Sequence, residues 1–192
     1  MSTKNAAPLD IAVIGGGPAG ISACLELSDA NLKVALFEND DELGGIPRTE
    51  RMRLFGMRDL KRLYRGTRYA QKLDRLIRNT SVEIHTGSTV RTIIPGDGGE
   101  DHLLEVVSPE GSTCYRTRFI ILATGCFESN RISRLISGTR PAGIFTTGAI
   151  KELVNVHHAK PGERALLIGS EHVIVSCVLT PVSYTHLRAH ET

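Results

Sequence analysis

A glycine-rich segment near the start of the chain, and an acidic residue that follows it, have the types and spacing needed to bind a dinucleotide. Residues 15–20 read GGGPAG and follow the apolar run IAVI. Gly15 permits a tight turn out of a strand, Gly17 lets the backbone approach a diphosphate, and Gly20 permits close packing of a helix on that strand. Glu38 lies about 20 residues further on, where a carboxylate can accept hydrogen bonds from ribose hydroxyls. Together these residues predict a site in which a diphosphate rests on a helix N-terminus.

A strand–helix–strand unit is predicted to position these residues. Residues 9–14 are apolar and β-branched, as in a buried parallel strand, and residues 33–38 form a second such run. A helix is predicted between them, over 18–30. Pro18 suits the first turn of a helix because it has no N–H to leave unpaired. A glycine-rich turn without a ligand is the alternative, but the surrounding strand, helix and acidic residue argue against it.

The rest of the chain alternates predicted helices and strands. Apolar residues at helical spacing predict a long helix over 59–79, and β-branched runs separated by turns predict a small antiparallel meander. The predicted strands are 82–85, 89–94, 103–107, 114–118, 119–123 and 165–168, and the further helices are 149–158 and 171–180. This alternation is typical of an α/β fold.

The composition is that of an ordinary globular protein. The 192 residues are 41% hydrophobic and 23% charged, with a net charge of +2. This balance does not indicate nucleic acid or a membrane surface as a partner. The N-terminus is polar, and no apolar stretch approaches the ~20 residues of a membrane helix. We therefore expect a cytoplasmic protein that acts on a small-molecule substrate.

Several residues that could do chemistry are better explained by structure. The four cysteines are scattered and form neither a CxxC pair nor a zinc motif. Cys24 is expected to pack a helix on the sheet, and Cys126 to be packed, because no cationic neighbour would lower its pKa. His157 and His158 are expected to end a helix rather than bind a metal. The basic face of the helix over 59–79 is interpreted as solvated surface.

A later motif distinguishes FAD from NAD, which share the first fingerprint. Residues 119–125 read FIILATG, a strand ending in Ala-Thr-Gly, and a Gly-Gly pair at 44–45 follows the second strand. In their order and spacing these segments resemble the glutathione reductase and thioredoxin reductase superfamily of two-dinucleotide-domain flavoproteins. The resemblance implies that Ala-Thr-Gly makes a second contact with FAD and that the Gly-Gly pair lies near the flavin and ribityl chain. It also implies that the backbone of Val90 meets the adenine.

Shorter segments narrow this resemblance. GGIPR at 44–48, FGMRDL at 55–60, Cys-Phe-Glu after Ala-Thr-Gly, and GTRPAGIFTTG at 138–148 resemble alpha subunits of opine and amine oxidases and of hydrogen cyanide synthase. The resemblance implies other oxidoreductase subunits as partners. Arg48 has two interpretations: contact with an anionic substrate over the flavin, or a salt bridge within its loop.

A second dinucleotide-type unit is predicted to begin near residue 161. PGERALLIGSEHVIVSCV, at 161–178, reads as turn, strand, glycine and helix, where the superfamily inserts its pyridine-nucleotide domain. Gly169 is present, but Ser-Glu-His-Val replaces the later glycines. Glu171 would place negative charge at a helix N-terminus that should receive a diphosphate. Two interpretations stand: an NAD(P)H site in the full-length protein, and a structural Rossmann-like unit.

The predicted fold is α/β: a Rossmann-like FAD-binding domain with a small antiparallel β meander, followed by the start of a second Rossmann-like domain. The predicted boundaries are 1–160 for the FAD-binding portion and 161–180 for the beginning of a truncated pyridine-nucleotide-type domain. Residues 181–192 are predicted to be a foreign tail, because they lack periodicity after Pro181 and resemble a translated sequencing adapter. We therefore expect the N-terminal part of a longer protein.

The predicted function is that of an FAD-dependent oxidoreductase without a redox-active CxxC, with hydride passing between an organic substrate or NAD(P)H and the flavin. The alternatives are an inactive or non-catalytic cofactor-holding subunit, and a single-Rossmann NAD-dependent dehydrogenase. No side chain is assigned as a catalytic acid or base, and no metal site is predicted. The predicted cofactor-binding residues are Gly15, Gly16, Gly17, Pro18, Ala19, Gly20, Glu38, Gly44, Gly45, Arg48, Val90, Ala123, Thr124 and Gly125.

Overall fold

The computed structural model describes residues 4–130, 132–133, 135–139, 141–170 and 172–179. Backbone contacts divide the chain into two compact units. The first unit contains the chain up to Gly45 together with Ala70–Gly125, and the second contains Ile46–Tyr69 and the residues from Cys126 onward. Each unit is therefore built from two separate stretches of sequence.

The described residues form strands, α-helices and one short 3₁₀ helix. The strands are β1 (Lys4–Asn5), β2 (Leu9–Ile14), β3 (Val34–Phe37), β4 (Arg53–Phe55), β5 (Tyr64–Arg65), β6 (Glu83–His85), β7 (Thr89–Ile94), β8 (His102–Ser108) and β9 (Gly111–Leu122). The α-helices are α1 (Pro18–Leu27), α2 (Gly66–Ile77), α3 (Thr147–Asn155) and α4 (His172–Leu179), and the 3₁₀ helix is Ile46–Thr49.

One sheet organises the first unit. Its strand order is β6-β3-β2-β9-β8-β7, with β1 paired to β9. β2 runs parallel to β3 and β9, and β3 runs parallel to β6, whereas β8 is antiparallel to both β7 and β9. β2 and β3 are almost entirely buried, as expected for parallel strands covered on both faces. The predicted α/β fold, strand–helix–strand unit and meander are confirmed.

The first helix of this unit packs through buried side chains and ends at residues that favour a helix C-terminus. α1 packs on β2 and β3 and buries Ile21 and Cys24 completely. It ends at Leu27, earlier than predicted, because the hydroxyl of Ser28 donates to the Leu25 carbonyl and Asn31 turns the chain with φ +51. The expectation that Cys24 packs is confirmed, and burial raises the pKa of its thiol to about 12.

β9 is a single strand where the sequence predicted two, over 114–118 and 119–123. Its first part pairs antiparallel with β8, and its second part pairs parallel with β2. Thr117 lies where the pairing changes, is fully buried, and donates its hydroxyl to the Phe119 carbonyl at 2.9 Å. The strand itself continues through Thr117, and only its neighbouring strands change there. The sequence pattern over 114–123 therefore does not mark the point at which the pairing changes.

α2 is shorter than the predicted helix over 59–79. It begins at Gly66, and the residues before it contain an antiparallel pair of short strands, β4 and β5. Gly56 causes this difference: it adopts φ +88, and its carbonyl accepts the N–H groups of Leu60 and Arg62 in a turn. Several of the basic residues assigned to the helix therefore lie on this turn and hairpin.

The last described part of the chain contains α4 but not the strand predicted over 165–168. Residues 165–170 have no regular structure, and Leu166 and Ile168 are exposed. The predicted strand is wrong because no described strand lies beside it to form a ladder. The predicted foreign tail, 181–192, lies outside the described residues, and the predicted domain boundaries stay a prediction. None of the helices in the described part of the chain has the length and apolarity needed to cross a membrane.

Candidate cofactor site

The turn after β2 brings the glycine motif against the end of β9. Gly15 adopts φ +108, a conformation that favours glycine, and its N–H donates to the Phe37 carbonyl at 2.8 Å. A Cβ on Gly15 would lie 2.4 Å from the carbonyl oxygen of Ala123. The N–H of Ala123 donates in turn to the Ile14 carbonyl at 2.8 Å. The structure therefore joins the first motif to the Ala-Thr-Gly segment that ends at Gly125.

Gly20 allows α1 to approach this turn. A Cβ on Gly20 would lie 1.9 Å from the carbonyl oxygen of Gly15 and 3.3 Å from the Cβ of Ala123. The first distance is far inside van der Waals contact, so no other residue fits without movement of the backbone. Gly20 thus sets the position of the helix N-terminus relative to β2 and β9.

The N-terminus of α1 is open. Gly17 is its N-cap residue and provides no side-chain hydrogen bond, and Pro18 follows. Within the described residues, the N–H groups of Gly17, Ala19 and Gly20 have no backbone partner. A Cβ on Gly17 would have only the Cα of Gly45 nearby, at 4.0 Å. Unpaired donors beside free space at the positive end of a helix dipole form a site for an anion such as a diphosphate.

Glu38 is fixed beside the glycine motif by two backbone donors. Its Oε2 accepts the Gly16 N–H at 2.6 Å, and its Oε1 accepts the Asp40 N–H at 2.9 Å. A Cβ on Gly16 would lie 2.5 Å from the Leu43 side chain and 2.9 Å from the Glu38 carboxylate, so a larger residue there would displace these side chains. Each carboxylate oxygen retains a further lone pair, which allows the pair to accept hydrogen bonds from a ribose diol.

The Gly-Gly pair forms the wall opposite Gly17. The N–H of Gly44 donates to the Gly16 carbonyl at 2.8 Å. Gly44 and Gly45 adopt φ +118 and +56, and a Cβ on Gly45 would lie 3.0 Å from the Cα of Gly17. The close approach of the two backbones therefore depends on the absence of a side chain at Gly45.

Hydrogen bonds connect the segment before β7 to the segment after β3. The N–H of Ser88 donates to the Glu38 carbonyl at 2.8 Å, and the hydroxyl of Thr89 donates to Asn39 Oδ1 at 2.5 Å. Val90 follows and packs, half-buried, against the core cluster that contains Phe37. Asn39 and Thr89 were not predicted as site residues, because a pair that far apart in the chain gives no local signal.

An adenine dinucleotide fits these residues. The first unit presents a helix N-terminus with unpaired donors, open space at Gly17, and a pre-oriented carboxylate at Glu38, and these features come from segments that contact one another. All the predicted cofactor-binding residues lie in this unit except Arg48, which belongs to the second unit and lies in the 3₁₀ helix. Their individual contacts with a cofactor stay predictions.

The remaining candidate residues play no part in this cofactor site. Cys126 is exposed, so the expectation that it is packed is wrong. The described residues that directly follow Gly125 form no strand or helix that could bury its side chain. His157 and His158 follow the end of α3, and no cluster of metal-ligating side chains occurs among the described residues. None of the four cysteines forms a disulfide in the structure.

Comparison with known proteins agrees with this geometry. A family profile described as pyridine nucleotide-disulphide oxidoreductase matches residues 9–173. The chain is 26% identical over 176 residues to the hydrogen cyanide synthase protein HcnB of Pseudomonas aeruginosa, covering 87% of this chain and 35% of that protein. It is 28% identical over 165 residues to one of the opine oxidase subunits of Agrobacterium tumefaciens, covering 83% of this chain and 32% of that protein. The chain thus spans about a third of the length of these curated relatives.

Solved structures show the same fold. L-proline dehydrogenase from P. horikoshii has a TM-score of 0.76 at 23% identity, over 99% of this chain and 37% of that one. The ornithine N-hydroxylase of Kutzneria sp. 744 has a TM-score of 0.69 at 17% identity, over 95% of this chain and 53% of that one. These likenesses confirm the predicted Rossmann-like fold. Because the profile covers most of its length, the chain belongs to the pyridine nucleotide-disulphide oxidoreductase family.

Proposed function

We propose that the first unit binds FAD and that the protein uses it as a flavin-dependent oxidoreductase. The observation that carries this proposal is the open N-terminus of α1, with three unpaired N–H groups beside a pre-oriented Glu38. When bound, FAD supplies the redox chemistry, which is the exchange of a hydride between the flavin and an organic substrate or NAD(P)H.

Different residues of the site are proposed to bind the diphosphate and the adenosine ribose of FAD. The N–H groups of Gly17, Ala19 and Gly20 are placed to receive the diphosphate, where the helix dipole adds favourable charge. Glu38 is held by the Gly16 and Asp40 N–H groups, so it needs no reorganisation to accept the ribose hydroxyls. In this proposal the protein binds and orients, and the flavin reacts.

The substrate and partners of the whole protein are further proposals. Both curated relatives are named as subunits, one of an opine oxidase and one of hydrogen cyanide synthase, which supports a protein that works beside other oxidoreductase subunits. We infer a small organic substrate, with Arg48 as a candidate contact for its anionic group. NAD(P)H is a candidate second cofactor of the full-length protein.

Titration of FAD into the chain and its variants tests the site. Glu38→Ala should weaken FAD binding by about 1–3 kcal/mol, the worth of charge-assisted hydrogen bonds. Gly17→Val should abolish binding, because its side chain fills the space beside the unpaired donors. Glu110→Ala is the matched control: it removes the same charge from the turn before β9, at the opposite end of that strand from Ala123.

Two results would contradict the proposal. Unchanged FAD affinity in both Glu38→Ala and Gly17→Val would place the flavin elsewhere. Saturable binding of NAD⁺ that FAD cannot displace would favour the single-Rossmann dehydrogenase instead. If the chain binds FAD but a full-length relative shows no turnover, the cofactor-holding alternative is supported.

A further inference from the structure

The second unit contains a small cavity that plays no part in the proposed cofactor site. Its volume is about 230 Å³. It is lined by Arg51, Arg65, Thr67, Val154, Asn155 and His158. These residues come from the segment after the 3₁₀ helix, from β5 and the first turn of α2, and from the end of α3. All of them belong to the second unit, so the cavity contains no residue of the first unit.

The ionisable residues that line the cavity are all basic. Two arginines and a histidine face the cavity, and no acidic residue is among the six. The nearby carboxylate of Glu50 is paired with the buried ammonium of Lys151. An arginine guanidinium presents several donors in a planar fork, which matches the oxygens of a carboxylate or a phosphate.

Three polar side chains on the cavity wall lack partners. Within the described residues, neither the Arg65 guanidinium, the Thr67 hydroxyl nor the His158 ring makes a hydrogen bond or an ion pair. Unpaired donors on the wall of one cavity are suited to binding a polar ligand. His158 also has a backbone φ of +54, which is uncommon for a residue other than glycine and is found more often at functional sites.

The helix ends near the cavity do not reverse this charge. α2 begins beside it, at Gly66, and contributes a partial positive charge, whereas α3 ends beside it, at Asn155, and contributes a partial negative charge. Each end is equivalent to roughly half an elementary charge, so the two largely cancel. The two helix ends therefore leave the positive charge of the Arg65 guanidinium in place.

We propose that this cavity binds a small oxyanion, a metabolite that carries a carboxylate or a phosphate. The cavity is smaller than the roughly 300 Å³ at which pockets for drug-sized ligands begin, so a dinucleotide does not fit. Arg65 and Thr67 are the recognition residues: the guanidinium binds the anion as a fork, and the hydroxyl donates to one of its oxygens.

Calorimetric titration of the chain tests this proposal, with sodium phosphate and sodium succinate as the probes at constant ionic strength. We expect saturable binding of at least one anion. Arg65→Ala should weaken it by at least about tenfold, the effect of losing a charge-assisted hydrogen bond. Thr67→Val, which keeps the shape and removes the hydroxyl, should weaken it by a smaller factor. Phosphate binding alone would indicate a phosphorylated ligand, and succinate binding alone a carboxylate.

Arg53→Ala is the matched control. Arg53 pairs with Arg65 across the β4–β5 ladder, is exposed, and does not line the cavity, so this variant changes the net charge equally. Its affinity should stay within about twofold of the parent chain, as for a surface charge. Circular dichroism verifies that each variant is folded. The proposal is overturned if neither anion saturates the chain at tens of millimolar, or if Arg53→Ala weakens binding as much as Arg65→Ala.

Discussion

The glycines of the first motif have two different roles, and their spacing in the sequence does not show which glycine has which role. Gly20 is a packing residue, because a Cβ there would lie 1.9 Å from the backbone of Gly15. Gly17 is surrounded by free space: a Cβ there would have only Gly45 within reach, at 4.0 Å, and its φ of −77° is open to any residue. One position therefore serves the fold and the other serves the ligand.

Alanine substitutions should separate these roles. Gly20→Ala should lower the free energy of unfolding by about 3 kcal/mol or more, because the clash is with backbone and cannot relax through a side chain. Gly17→Ala should lower it by no more than about 1 kcal/mol, the cost of a poorer N-cap, while weakening FAD binding. Urea unfolding followed by circular dichroism and FAD titration would measure the two effects. Equal destabilisation by both variants would show that the roles are not separate.

At the scale of elements, the two best-defined helix N-termini make an informative contrast. α1 begins without a side-chain cap. The first turn of α3 is closed: Thr146 accepts the Ala149 N–H, and Glu128 accepts those of Thr147 and Gly148 at 3.1 and 2.6 Å. A helix that lacks a ligand is capped by its own chain, so the open end of α1 stands out as the one prepared for an anion.

Glu128 should make the stability of the second unit depend on pH. Burial raises the pKa of Glu128, but donors from Gly148, Thr146 and Thr147 outweigh it and hold that pKa below the ordinary value of a glutamate. A carboxyl group with a lowered pKa in the folded state stabilises the protein above its unfolded pKa, and this contribution is lost as the pH falls through the lowered value. Glu128→Gln should therefore destabilise the chain at pH 7 by about 0.5–2 kcal/mol, the range for helix caps.

Thermal unfolding of the parent chain and Glu128→Gln between about pH 3 and 7 would measure this difference, which should shrink below the ordinary glutamate pKa of about 4.3. Glu163→Gln is the control, since its side chain is 88% exposed and lies outside any helix. A difference between Glu128→Gln and the parent that is constant across this range would mean that the charge of Glu128 does not stabilise α3.

At the scale of the whole molecule, β9 presents an unprotected edge. Its residues 118–122 pair with β2 on one side, and no strand in the described part of the chain lies on the other. Phe119 and Leu122 are 59% and 66% exposed there. An apolar strand with unpaired backbone groups is a template for pairing with another chain.

We therefore expect the 192-residue chain to self-associate through this edge. Phe119→Lys should raise the monomer fraction, because a charged residue on an edge strand opposes pairing. Sedimentation at several protein concentrations would measure that fraction. Leu54→Lys is the control, since Leu54 is 67% exposed but lies on β4, in the second unit. If the two lysine variants changed association equally, general solubility rather than the β9 edge would be responsible.

The sequence by itself determined the parts of the molecule that follow local rules. Glycines at 15, 17 and 20 between an apolar strand and a helix, followed by Glu38, predicted the turn, the helix N-terminus and the position of the carboxylate. These features depend on the backbone preferences of a few neighbouring residues, and the structure reproduces them. The parallel strands could also be predicted from local sequence, because burial on both faces requires a continuous apolar run.

Only the tertiary structure decided which distant segments meet. It joined 114–118 and 119–123 into β9, because the partners of the strand change there while the strand continues. It left 165–168 without a strand, closed α3 with Glu128, and tied Asn39 to Thr89. It also brought Arg51 and Arg65 to the wall of one cavity. Each of these outcomes depends on contacts between residues far apart in the chain, and such contacts leave no periodic pattern in the residues themselves.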